Sequence, residues 1–144
     1  MPDDYYTVPF GKADVKRAGT DLTLIAYGLM LHHALEAAER VVNDGISVEV
    51  IDPRTLNPLD KETILNSVKK TSKALIVHED NLTLGIGAEI AAIIAGEAFE
   101  YLDAPVMRLG APDVPAVPFS VPMQDFFMPN VDKIEKAIRK LAAY

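Results

Sequence analysis

The chain has 144 residues, 14 Lys+Arg against 21 Asp+Glu for a formal charge of -7, no Cys and no Trp. That is the length of one domain, and 49% hydrophobic residues suffice for a core; the missing cysteines exclude disulfides, thiolate metal sites and Cys nucleophiles. The acidic balance argues against nucleic acid or an anionic membrane as partner, because both attract a net positive surface.

Residues 1–20 mix Pro, Gly and charge without periodicity and read as an extended arm or linker, ahead of an α/β domain over residues 21–144. The start, Met1-Pro-Asp-Asp-Tyr-Tyr6, is acidic and polar where a signal peptide is basic and then apolar. Leu22-Thr-Leu-Ile-Ala-Tyr27 predicts a buried strand ended by Gly28. Leu31, Ala34, Leu35, Ala38, Val41 and Val42 then recur at helical spacing up to the stop Asn43-Asp44-Gly45. The cycle repeats with a strand at residues 46–51 and a helix capped by Asp60 that carries Ile64, Leu65 and Val68. A third strand is predicted at residues 74–77, a loop at 78–84, a helix from about 86 to 102 and a fourth strand at 105–109. Five prolines from Pro112 to Pro129 predict a mainly extended crossing with one turn near residues 123–127. Asn130 caps a last helix with Val131, Ile134, Ile138 and Leu141 in one stripe. Alternating strands and helices imply an α/β fold with a mostly parallel sheet covered on both faces. The most apolar stretch, residues 86–95, is far short of the ~20 residues of a membrane helix.

In such a sheet, ligands sit beyond the carboxyl ends of the strands. Asp52, Arg54, His78 and Glu79 form the polar cluster expected there. His78-Glu79-Asp80 could act as a base or take a metal, but no second His lies four residues on. A structural role, with His78 and Glu79 bonded to neighbouring backbone or to Arg54, outweighs catalysis. Gly85-Ile-Gly87 lacks the third glycine of a dinucleotide fingerprint and reads as tight packing. No catalytic, cofactor-binding or metal-binding residue is therefore assigned. The helix from Ile86 has two apolar sides: Ala88, Ala91, Ala92, Ala95 and Phe99 on one, Ile86, Ile90, Ile93 and Ile94 on the other. The alanine side suits close approach to the sheet, so the isoleucine side is the expected interface with a partner chain.

These motifs carry a resemblance. Residues 6–16, Thr23-Leu-Ile-Ala-Tyr-Gly28, Gly45-Ile-Ser-Val-Glu-Val-Ile-Asp52, Arg54-Thr-Leu-Asn-Pro-Leu-Asp60, His78-Glu79, Gly87-Ala-Glu-Ile-Ala-Ala92 and Leu102-Asp-Ala-Pro105 are similar to the C-terminal domain of the beta subunit of thiamine-diphosphate-dependent 2-oxoacid dehydrogenases, such as those acting on pyruvate or branched-chain 2-oxoacids. Thr83-Leu84-Gly85 stands where that family commonly has Thr-Gly-Gly. The resemblance implies a three-layer, transketolase C-terminal-like fold whose five-stranded, mostly parallel sheet has one antiparallel strand. It also implies an assembly and dimerisation role beside a second beta subunit, the alpha subunit and the acyltransferase core of a multienzyme complex. Thiamine diphosphate and Mg²⁺ would be held by the alpha subunit and the preceding half of the beta subunit, not by this chain, which alone would be inactive. The location implied is the cytoplasm of a prokaryote or the mitochondrial matrix of a eukaryote. Two alternatives stand beside it: a stand-alone small-ligand-binding α/β domain, and the corresponding domain of a transketolase or ferredoxin oxidoreductase.

Overall fold

Aliphatic strands that are apolar on both sides can be buried only between two helical layers. The structure, a computed structural model, describes residues 5–115 and 118–144. They form β1 (Asp14–Arg17), β2 (Leu22–Ala26), α1 (Leu29–Arg40), β3 (Val48–Asp52), α2 (Lys61–Thr71), β4 (Ala74–Asn81), α3 (Ile86–Glu97), β5 (Met107–Ala111), α4 (Val121–Phe127) and α5 (Val131–Ala142). The sheet order is β1-β3-β2-β4-β5, with β1 antiparallel to β3 and every other pair parallel. This is the layered α/β arrangement that the strand–helix alternation implies, with the one antiparallel strand that the resemblance implies.

Every residue of β2 is buried, and its side chains divide between two cores. Leu22, Leu24 and Ala26 meet α1 and α5 through Met30, Ala34, Ile134 and Ile138. Ile25 meets α2 and α3 through Ile64, Val68, Ile90 and Ile94. Thr23 breaks the apolar run but is satisfied: its hydroxyl is 2.6 Å from Ser67 Oγ and 2.7 Å from Thr71 Oγ1. Ser67 donates to Glu49 Oε1 at 2.5 Å, and Glu49 also accepts from Gly19 N–H and pairs with Lys70. This buried network joins β2, β3 and α2 without an orphaned group.

The arm departs from its sequence reading, because residues 14–17 form the edge strand β1. No apolar alternation marks it; β1 is held by its ladder to β3 and by Asp60, whose Oδ2 accepts Ala13 N–H at 3.0 Å while capping α2. Gly19 lets this chain pass β3, since a Cβ there would lie 2.2 Å from Glu49 N. Residues 1–4, the start of the expected arm, lie outside the described residues. β4 continues through His78 to Asn81 with a register shift after Val77, so the expected loop begins later. α3 ends at Glu97, beyond Gly96, and passes into a 3-10 turn at Phe99–Tyr101 instead of running on to residue 102. The turn expected at 123–127 is the short helix α4, with Pro122 in its first turn; residues 116–117 of the Pro-rich crossing lie outside the described residues.

Candidate functional site

The carboxyl ends of β2 to β5 share one edge of the sheet, and β1 starts there because Asp14 pairs with Asp52. The polar cluster expected on that edge is divided. Asp52 and Arg54 come together, with Arg54 N–H donating to Asp52 Oδ1 at 2.9 Å. The Arg54 guanidinium turns to Asp14, 2.7 Å away, and not to His78 or Glu79; Lys16 takes the same carboxylate at 2.5 Å. These hydrogen bonds and charges hold the Asp14 carboxyl below its usual range, with the Lys16 bond foremost. Tyr6, Lys16, Tyr27, Gly28, Asp52 and Arg54 line an open pocket of about 640 Å³. Burial, with Asp80 and Glu79 nearby, pushes the Tyr27 hydroxyl up, so it stays protonated at neutral pH. Both cations of the pocket are engaged by one carboxylate. A magnesium-bound diphosphate does not fit this donor set, and among the described residues no three His, Asp or Glu side chains come together for a metal.

His78 sits elsewhere, fully buried on the α3 side of β4, while Glu79 beside it is exposed. Three glycines make the space for its ring. A Cβ on Gly87 would lie 2.4 Å from His78 Nε2, one on Gly85 2.9 Å and one on Gly110 3.0 Å from Cε1. The packing reading of Gly85-Ile-Gly87 thereby acquires its physical reason. Neither ring nitrogen has a hydrogen-bond partner among the described residues. Burial lowers the imidazole's pKa; Asp80, through its charge and its backbone, opposes that shift and Arg108 adds to it. A neutral imidazole enclosed in this way has no route for exchanging protons with a substrate on that edge.

The assignment of faces on α3 is corrected by the structure. Ile90 and Ile94 are fully buried in the core between α2, α3 and the sheet, with Ile86 and Ile93 packed against it. The isoleucine side is therefore turned inward and is not an open interface. The reason is area: an isoleucine gains far more from burial than an alanine, so the heavier apolar side faces the sheet. The alanine side is left outward. Ala88, Ala91, Ala92, Ala95 and Phe99 form one wall of an open groove of about 760 Å³ closed by Leu102, residues 103–106, Arg108 and Tyr144. Phe99 is 75% exposed on its rim. Sequence periodicity located both stripes but not which of them was outward; side-chain size was the available signal.

Comparison with known proteins places this geometry. The sequence profile described as "Transketolase, C-terminal domain" matches residues 11–134. The chain is 51% identical over its full length to 2-oxoisovalerate dehydrogenase subunit beta of Bacillus subtilis, covering 44% of that protein. It is 48% identical over 93% of its length to the acetoin:2,6-dichlorophenolindophenol oxidoreductase subunit beta of the same organism, covering 39% of it. Among solved structures, a split-gene transketolase, described as an inactive beta4 tetramer, superposes with a TM-score of 0.84 at 25% identity, over 96% of this chain and 44% of that one. The chain thus spans less than half the length of the curated relatives it matches.

Proposed function

The chain belongs to the transketolase C-terminal domain family, and from that membership we propose that it is the assembly domain of the beta subunit of a thiamine-diphosphate-dependent 2-oxoacid dehydrogenase. It holds subunits together, and its own residues make no contact with the cofactor. Full-length identity of 51% to a 2-oxoisovalerate dehydrogenase beta subunit supports the dehydrogenase reading over transketolase, where identity is 25%. The cofactor, when bound elsewhere in the parent enzyme, supplies the carbanion chemistry. Oxidative decarboxylation with acyl transfer then belongs to the assembly of this subunit with a second beta subunit, an alpha subunit and the acyltransferase core. By the same reading it works in the cytoplasm of a prokaryote or in the mitochondrial matrix of a eukaryote. The described residues contain no helix long and apolar enough to cross a membrane.

One observation carries the assembly role: the outward alanine side of α3 with Phe99 and Tyr144 around it. Small side chains let a second helix approach closely, and an exposed aromatic on the rim of an apolar groove is a common anchor between chains. Sedimentation velocity at micromolar concentration tests it. The wild-type chain is expected to self-associate, and Ala92→Glu, at an exposed position, to yield monomer with unchanged circular dichroism. A wild-type chain that sediments only as monomer, or an associated chain indifferent to Ala92→Glu, refutes the groove as the contact.

A further inference from the structure

A second apolar surface lies apart from the α3 groove. We propose that the carboxyl edge of the sheet docks the polypeptide that precedes this domain in the full-length beta subunit, so that the subunit's two halves pack through this edge; the inference rests on the beta-subunit reading above.

Each connection leaving a strand on that edge exposes a large apolar side chain. Leu29 follows β2, Leu56 follows β3, Leu84 follows β4, and Phe119, Met123 and Phe126 follow β5. Leu84 is 97% exposed, Phe119 100% and Phe126 71%. Single exposed leucines are ordinary, but their recurrence at every loop of one edge marks a contact surface. The surface is also held in shape. Lys133 Nζ donates to the carbonyls of Asp125, Phe126 and Met128 at 2.8, 2.6 and 2.7 Å, fixing the end of α4, while Phe127 is buried beneath it. A pre-positioned aromatic loses little freedom on docking.

The arm identifies the occupant. Residues 5–13 run along this same edge: Gly11 N–H donates to Thr55 Oγ1 at 2.9 Å, and Tyr6 and Val8 line the pocket with Asp52 and Arg54. The curated relatives are more than twice as long, and the matching family is a C-terminal domain. Polypeptide joined through the arm is tethered at the β1–β3 end of this edge, beside Leu56, at an effective concentration of roughly millimolar.

A chimera tests the proposal: the matched region of the Bacillus subtilis 2-oxoisovalerate dehydrogenase beta subunit is replaced by this chain, and its amide hydrogen exchange is compared with that of the chain alone. Residues 55–58, 82–86 and 119–126 are expected to exchange at least tenfold more slowly in the chimera, with Leu84→Ser plus Phe126→Ser removing that protection. Equal exchange at those loops in a folded chimera, or protection confined to another face, overturns the proposal. So does protection that appears in the chain alone as its concentration rises, which would assign the edge to a second copy. The amino-terminal part of the same relative, added in trans, gives a second measurement: a one-to-one complex lost in the double variant supports docking, and no complex together with an unfolded chimera overturns it. A chimera with protected loops that gives no dehydrogenase activity with its alpha subunit refutes the dehydrogenase reading while supporting the docking surface.

Discussion

His78 occupies a space that three glycines leave for it, and the tightest of them, Gly87, stands in the first turn of α3. Two effects therefore oppose each other at this residue. Helix propensity alone makes Gly87→Ala stabilising by roughly 1 kcal/mol. Contact makes it destabilising, because the new methyl would lie 2.4 Å from Nε2 and 2.5 Å from Cδ2 of a ring that is enclosed on its other sides. Overpacking of this kind costs about 1–3 kcal/mol, so the clash wins. Urea denaturation should show Gly87→Ala less stable than wild type, and the loss should shrink or reverse when His78→Ala is also present. Equal effects of Gly87→Ala with and without His78 would mean that the ring is not what the glycine admits. The motif Gly85-Ile-Gly87 was legible as packing, but its partner was not: His78 and Gly110 join the contact only through β4 and β5.

At the scale of elements, α3 separates what periodicity reveals from what it hides. Its two apolar stripes are evident from spacing, yet the direction of the helix about its axis depends on the competition between the stripes for the sheet. Ile94 wins that place completely, whereas Ala95 one residue later is exposed. Thermal melts should report the difference: Ile94→Ala costs about 2–5 kcal/mol through lost burial and a cavity, and Ala95→Ser stays within roughly 0.5 kcal/mol. Comparable losses at both positions would contradict the orientation. β1 was illegible for a different reason. Its residues, Asp14-Val-Lys-Arg17, carry no alternation that distinguishes a strand from a linker, and its stability comes from β3 and from Asp60 across 47 positions of sequence. Asp60 itself was legible as a helix cap; its second task, accepting from Ala13, was not. α4 was foreseen only as a turn, because proline spacing argues for extension and the anchoring Lys133 comes from the following helix.

For the whole molecule, the buried strands fixed the layers, while the surface patches depended on which side chains those layers left over. The strand-end cluster shows the limit. Asp52, Arg54, His78 and Glu79 were expected together on one edge, yet they part because β4 runs on to Asn81 and residue 78 is buried on the α3 side while residue 79 is exposed. That burial has a global consequence for acid stability. The native His78 pKa lies below that of the unfolded chain, so as pH falls below about 6.5 the unfolded state binds a proton that the native state refuses. Stability must drop over that interval, by up to ~1.4 kcal/mol per pH unit for one proton. A second loss lies lower. Glu49 is penalised by desolvation, but the hydrogen bonds from Lys70, Ser67 and Gly19 outweigh it and hold its carboxyl below the usual range; Asp60, desolvated likewise, is held down by Ala13 and Thr63. For depressed carboxylates the stabilisation is complete above the unfolded pKa, begins to fade as pH falls below about 4.5 for Glu49 and 3.8 for Asp60, and is gone below their native values. Urea unfolding between pH 8 and pH 3 should therefore fall in two stages. His78→Leu should flatten the upper stage and spare the lower, whatever it does to absolute stability, and Glu49→Gln should reduce the lower stage and spare the upper. An upper stage that persists in His78→Leu would assign that proton to another group and remove His78 from the molecule's acid response.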